Sequence, residues 1–376
     1  MRNFHCSHCG NLVLFENTLC VLCSHRLAYD FDRDQMLAVA QDDHGNWRTV
    51  QDDVLAEPVT LCNNYQTYGV CNGIARVQAS AGLCPRCELT RTIPNLSRPG
   101  NREAWQRMEQ AKARLLYTLR RVGLGWRTRD EDPHHGLSFD FLSDDDNASD
   151  EPIIIGHHEG VITLSVQEAD DVVREDRRRI NHEEYRTLAG HFRHEIGHYY
   201  WDVLIRDAHR LDAFRTVFGD ERDDYEQSLD RHYAAGPASD WPQHFISAYA
   251  SAHPWEDWAE TFAHYLHMVD VLEIAQDAGL ELRATDGRAP RFRTGSPARR
   301  ESWDERVARW SALTFVLNNV NRGMGLRDLY PFVLNAATIG KLRFVHDEIQ
   351  RAGRCEFDAS KELSHSGNRN MALAAG

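Results

Sequence analysis

A chain of 376 residues is longer than one hydrophobic core usually organises, so one large domain with at least one smaller module is expected. Its 42% hydrophobic and 27% charged residues are ordinary for a soluble globular protein, and no apolar run approaches the ~20 residues needed to span a bilayer, which argues against a membrane protein. The formal net charge of −14 repels phosphate backbones, so nucleic acid is not an expected partner.

The opening residues, MRNFHCSHCG, reach a cysteine pair at once and contain no apolar stretch of the kind that marks a secretory signal; the expected location is cytoplasmic. Cys6, Cys9, Cys20 and Cys23 form two C-x2-C pairs, and a two-residue gap lets one tight turn aim two sulfurs at one ion. Cys62, Cys71, Cys84 and Cys87 follow with a longer first arm and the same closing knuckle. Each set is expected to complete a four-thiolate shell around a structural zinc, with no position open to water or substrate. Disulfides are disfavoured by the spacing and by a reducing compartment, rubredoxin-like iron is a minor option, and a cross-braced exchange of knuckles stays open. His5, His8 and His25 are read as surface histidines. The ninth cysteine, Cys355, stands alone.

A Pro/Gly-containing stretch at 94–101, PNLSRPGN, is the expected linker between a zinc-ribbon domain at 1–93 and a second domain at 102–355, followed by a flexible tail at 356–376. In the second domain Trp105, Met108, Ala111, Leu115, Leu116 and Leu119 recur at helical spacing. LSFDFL and PIIIGHHEGVITLSV read as extended segments, and DDDNASDE between them as a solvated acidic loop, with calcium binding as the sharper alternative. Helices are expected at 182–206, 254–278, 301–321 and 329–350, with a loop at 279–300. The predicted class is α+β: a mostly helical domain with a small antiparallel sheet, preceded by the Cys-rich ribbon.

His194-Glu195-Ile196-Gly197-His198 is an H-E-x-x-H motif inside a helical pattern. Residues four apart stand one above the other on a helix, so both imidazoles can face one divalent ion while Glu195 takes a proton from the water attacking the substrate. His191 lies on the same face and is read as a supporting or surface residue. A metzincin would place Gly and His where Trp201 and Leu204 stand, which excludes that class. The remaining strong option is a carboxylate on a second helix. Pro254 suits a helical first turn, and Glu256 and Glu260 after it share one face. His253, His264 and His267 are possible pocket or core groups, and Tyr199, Tyr200, Trp255, Trp258 and Phe262 are read as core.

With Glu256-x-x-Trp258-Ala259-Glu260-x-Phe262-Ala263 following H-E-x-G-H, the chain resembles the gluzincins. It looks particularly like the lethal-factor type of zincin over these two helices, and like the bacterial zinc-binding metallopeptidases with an amino-terminal zinc ribbon over nearly its whole length. The resemblance implies a zincin-like domain that hydrolyses peptide bonds with one catalytic and two structural zinc ions. It also implies Glu256 as third ligand with Glu260 orienting a ligand histidine, and Tyr249 as the hydroxyl that shares the oxyanion. The gap between His198 and Glu256 is much longer than in thermolysin-like enzymes, which leaves the Glu256 and Glu260 roles exchangeable. The expected partner is a peptide or protein, its strand lying antiparallel to an edge strand near 160–166. The rival reading is a zinc-stabilised scaffold with an inactive H-E-x-x-H site.

Overall fold

The computed structural model describes residues 1–76, 81–143, 153, 155–180, 183, 185–283 and 301–371, with side chains described up to residue 353. The acidic run at 144–151 and residues 284–300 of the expected loop lie outside the described residues. The chain forms two compact units: residues 1–116, 127–195 and 269–331 make the first, and 117–126, 196–268 and 332–376 the second.

In the first unit, β1 (Phe4–His5) and β2 (Leu12–Val13) form a short hairpin, and β3 (Arg26–Asp30), β4 (Gln35–Gln41), β5 (Trp47–Gln51) and β6 (Val54–Pro58) an antiparallel meander. The β5–β6 loop is Asp52-Asp53, both left-handed at φ 49° and 59°. A turn of this hand matches the twist of the strands it joins, and a short polar side chain tolerates it better than a branched one. β7 (Thr60–Leu61) pairs with β8 (Ile74–Ala75). Ala28, Leu37, Val39, Leu61 and Tyr65 are buried in one cluster with Cys62, Cys84 and Cys87, so the second set of cysteines is part of this small core.

After β9 (Thr90–Thr92) comes α1 (Asn101–Arg121). It buries Trp105, Met108, Leu115, Leu116 and Leu119 as its periodicity predicts. It also buries Lys112 completely, which the periodicity does not predict. That ammonium lies 2.7 Å from Glu109 and over the rings of Phe139 and Phe141, a charge partner and two π faces that offset its lost hydration.

β10 (Ser138–Leu142), β11 (Gly156–His158) and β12 (Val161–Ser165) build the second sheet in the order β11-β12-β10-β9. Here the expectation of a small antiparallel sheet needs correction. β12 and β9 both run parallel to β10, and only β11 is antiparallel, to β12. The reason is the chain path: β11 and β12 are a tight hairpin, whereas the long return from β10 to β12 allows a parallel pairing. The hairpin turn, Glu159-Gly160, is again left-handed at both residues, and a Cβ on Gly160 would sit 2.4 Å from the His135 carbonyl. β12 lies inside this sheet, paired with β10 along its length and with β11 at Val161–Thr163, so the edge strand nearest to segment 160–166 is β11.

α2 (Asp171–Ile180) precedes α3 (Leu188–Trp201), and α3 with Asp202–Arg206, which continue it as one π-helical turn, is the helix expected at 182–206, starting at Leu188. α4 (Leu211–Phe218), α5 (Tyr225–Ala235) and α6 (Trp241–His244) occupy the long stretch between the two motif helices, and α7 (Pro254–Asp277) carries the second motif. α8 (Trp303–Gly323) starts in a capping box in which Ser302 and Glu305 bond each other's backbone amides. α9 (Ala336–Met371) begins later than expected because Pro331 precedes it and Asn335 accepts the Thr338 amide at 2.9 Å; it continues to Met371, within the segment expected as a tail, whose last residues, 372–376, lie outside the described residues. The unit limits fall inside α1, α3 and α7. No described helix is long and apolar enough to cross a membrane.

Candidate metal centre

The centre starts from the contact of α3 with α7. Gly197 has no side chain to hold the helices apart: a Cβ there would lie 2.9 Å from Ala259 Cα and 3.3 Å from Phe262 Cβ. Trp258 Nε1 donates to the Gly197 carbonyl at 2.9 Å, and Tyr200 stacks on Phe262 with ring centroids 5.5 Å apart. Ile196, Tyr200, Trp258 and Phe262 are buried, so the apolar side of each motif helix is spent on this contact. Gly197→Val is expected to cost about 1–3 kcal/mol by overpacking and to spread the donor atoms, read as a lower melting temperature together with loss of zinc.

The helix contact brings one donor atom each from His194, His198 and Glu256 within 4.8 Å of one another. His198 and Glu256 are buried, and His198 Nε2 lies 3.6 Å from Glu256 Oε1. Two imidazoles and a carboxylate are a donor set that suits zinc, and three protein ligands leave a fourth position for water or substrate. The residues present therefore fit the ion that the motif implies. Glu195, buried, stands next to His194 on the same helix. Glu260 is one turn beyond Glu256, accepts from Ser247 Oγ at 2.6 Å and is not in the group of three.

Tyr225 was not legible in the sequence. Its hydroxyl donates to Glu256 Oε1 at 2.7 Å from the first turn of α5, where Asp224 caps the helix by accepting the Gln227 amide. Trp255 packs on the His198 ring at 3.9 Å between centroids and meets Tyr225 edge-on, so it borders the centre rather than the core proper. Carboxylate ligands gain orientation from such outer hydrogen bonds, and Tyr225→Phe is expected to lower zinc affinity ten- to a hundredfold in a chelator competition. Tyr249 lies half-buried in the Tyr249–Ser251 turn, its ring edge-on to His232 at 5.9 Å.

The other histidines divide by role. His253 Nδ1 accepts the Trp255 amide and its Nε2 donates to the Asp223 carbonyl, so it caps α7 just before Pro254. His264 packs against Phe332, and neither it nor His267 joins the donor group. His191 Nδ1 is 3.2 Å from Glu168 Oε2, and burial pushes its imidazole down to about 4. Burial works against the Glu168 carboxylate as well, but His191, Arg186 and Arg177 together draw it below the usual range. Arg193, beside His194, pairs with buried Asp270 at 2.6 Å. Burial drives the Asp257 carboxyl up while Lys341 at 2.6 Å pulls it back.

The cysteines gather as Cys6, Cys9, Cys20, Cys23 and as Cys62, Cys71, Cys84, Cys87, each set with its sulfurs within 4.8 Å, so the knuckles do not exchange partners. Each knuckle of the first set closes on a left-handed residue, Gly10 or Ser24, whose amide returns to the carbonyl of the first cysteine. In the second set the Gly73 and Cys84 amides donate to Cys71 and Cys62 sulfurs.

A family profile described as "Putative zinc-binding metallo-peptidase" matches residues 101–348, and a zinc-ribbon domain profile matches residues 3–98. The chain is 42% identical over 347 residues, 92% of its length and 94% of the relative's, to an uncharacterized protein of Mycobacterium bovis. It is similar to the same extent to uncharacterized proteins of two Mycobacterium tuberculosis strains. No solved structure matches. On a profile that covers the two motif helices and relatives that align along almost the full chain, this protein belongs to the zinc-binding metallopeptidase family named by that profile, with a zinc-ribbon domain at its amino-terminal end.

Proposed function

We propose that the chain hydrolyses peptide bonds in a zincin-like domain of gluzincin type, with Glu195 as general base. The observation that carries this reading is the meeting of His194, His198 and Glu256 donor atoms within 4.8 Å, beside a carboxylate that is not one of the three. His194, His198 and Glu256 would hold the zinc, and Cys6, Cys9, Cys20, Cys23 and Cys62, Cys71, Cys84, Cys87 two structural ions. When bound at the histidines, zinc supplies Lewis acidity toward the scissile carbonyl and lowers the pKa of water.

The chain's own groups do the rest. Glu195 accepts a proton from the attacking water as the new C–O bond forms, and delivers it to the amide nitrogen as the C–N bond breaks. Tyr225 holds Glu256 in its ligating orientation, and Glu260 keeps the buttressing role that the family resemblance implies. Tyr249 is assigned to the developing oxyanion. The substrate is a peptide or protein rather than nucleic acid, given the charge of −14, and thiolate-rich ribbons suit a reducing cytoplasm.

The test is a cleavage screen. Zinc-loaded full-length protein is incubated with a proteome-derived peptide library and new amino termini are read by mass spectrometry. Cleavages are expected that vanish with phenanthroline and in His194→Ala. A zinc-replete protein that leaves every peptide intact would favour the scaffold reading instead.

A further inference from the structure

The first four-cysteine cluster has a second set of donors at its side. His8 lies inside the Cys6–Cys9 knuckle and His25 two residues beyond Cys23, and their rings meet at 4.5 Å between centroids. One ring nitrogen of each, together with Cys23 Sγ, lies within 4.8 Å of the others. In both rings Nδ1 is buried and has no hydrogen-bond partner among the described residues. Buried polar nitrogens are almost always paired, so two orphans on adjoining rings that are grouped with one sulfur ask for a common partner.

His8 is already prepared for one. Its Nε2 lies 3.3 Å from Asp53 Oδ1. A carboxylate at that nitrogen holds the ring proton there and leaves Nδ1 with its lone pair free, the arrangement found behind most metal-ligating histidines. Electrostatics points the same way. Four thiolates around one divalent cation leave a net charge of about −2, and Cys23, half-buried, is the cysteine of that set whose sulfur is also grouped with the two imidazoles.

We infer that His8, His25 and the Cys23 thiolate form a binding site for an additional zinc ion, with Cys23 bridging it to the ion of the four-cysteine cluster. The inference rests on the zinc-ribbon reading of that cluster and is independent of the peptidase reading. Two imidazoles and a thiolate select a zinc-like ion over magnesium or calcium. Three protein ligands leave one corner open, so this ion exchanges faster than one enclosed by four sulfurs.

Two measurements on the full chain test it. In a zinc titration, wild type is expected to saturate about one equivalent per chain above His8→Ala/His25→Ala, the difference being the most weakly held ion. Equal saturation overturns the site. Cadmium NMR of the cadmium-loaded wild type needs no variant, which covers the case of a double variant that fails to fold. An all-sulfur cadmium resonance split by a second, nitrogen-and-sulfur-bound cadmium is expected from the shared Cys23. All-sulfur resonances of which none is coupled to a second cadmium overturn the bridge, whereas one uncoupled all-sulfur resonance is expected from Cys62, Cys71, Cys84 and Cys87; the absence of any all-sulfur resonance overturns the zinc-ribbon reading along with it.

Discussion

Glu195→Gln is expected to lower the rate of peptide cleavage by roughly 10²–10⁴-fold, the range associated with loss of a positioned general base. The substitution keeps the size and helix-forming character of the side chain, and Glu195 is not among the three grouped donors, so zinc content and melting temperature should stay at wild-type values. A variant that lost both zinc and activity would show a ligand or a packing residue instead. A fully metallated variant that cut within tenfold of wild type would remove Glu195 from the chemistry. The readout is therefore paired: metal content by mass spectrometry, and initial rates on a peptide found in the cleavage screen.

The second large effect is expected in the ribbon. Cys84 and Cys87 are almost fully buried in the same cluster as Ala28, Leu37, Val39 and Leu61, so the ion they would share sits in the hydrophobic core of this region. Structural zinc contributes about 10–16 kcal/mol in zinc-finger peptides at neutral pH, as much as the whole stability of a typical domain, about 5–15 kcal/mol. Cys84→Ser is expected to unfold the β3–β6 meander and its surroundings, seen as lost amide-exchange protection across 26–58 and rapid proteolysis there. Protection equal to wild type in protein that has lost that zinc would show a ribbon that folds without metal.

The parts of this molecule legible in the sequence are those encoded by short spacing. C-x2-C pairs act within one turn, and His194 and His198 act within one helical repeat, so local geometry suffices to group them. Glu256 is different, because its neighbour His198 is 58 positions away and reaches it only through the close passage of Gly197 past Ala259. The motif on each helix was readable, but which of Glu256 and Glu260 joins the histidines depended on the rotation of one helix against the other. Tyr225 had no readable signal at all. It lies between the motifs in a helix that its composition barely announces, and its position follows from how α4 to α6 fill the intervening chain. His253 illustrates a related limit: Pro254 announces the start of a helix, yet nothing local says that the preceding imidazole caps it. The parallel pairing of β10 with β12 escaped for the same reason, since hydrophobic pattern fixes which side of a strand is buried but not which neighbour it pairs with.

The close passage at Gly197 and Ala259 has a consequence for the choice of ion. Where main chain abuts main chain, the spacing between the imidazole-bearing helix and the carboxylate-bearing helix is set by atoms that have no rotamers to adjust. The cage is thus dimensioned before any cation arrives, and it discriminates by radius as well as by ligand chemistry. Cobalt, close to zinc in size, should slip in with little change to the surrounding framework, whereas the larger cadmium would have to prise the two helices apart and lose the Trp258 indole bond that fastens them.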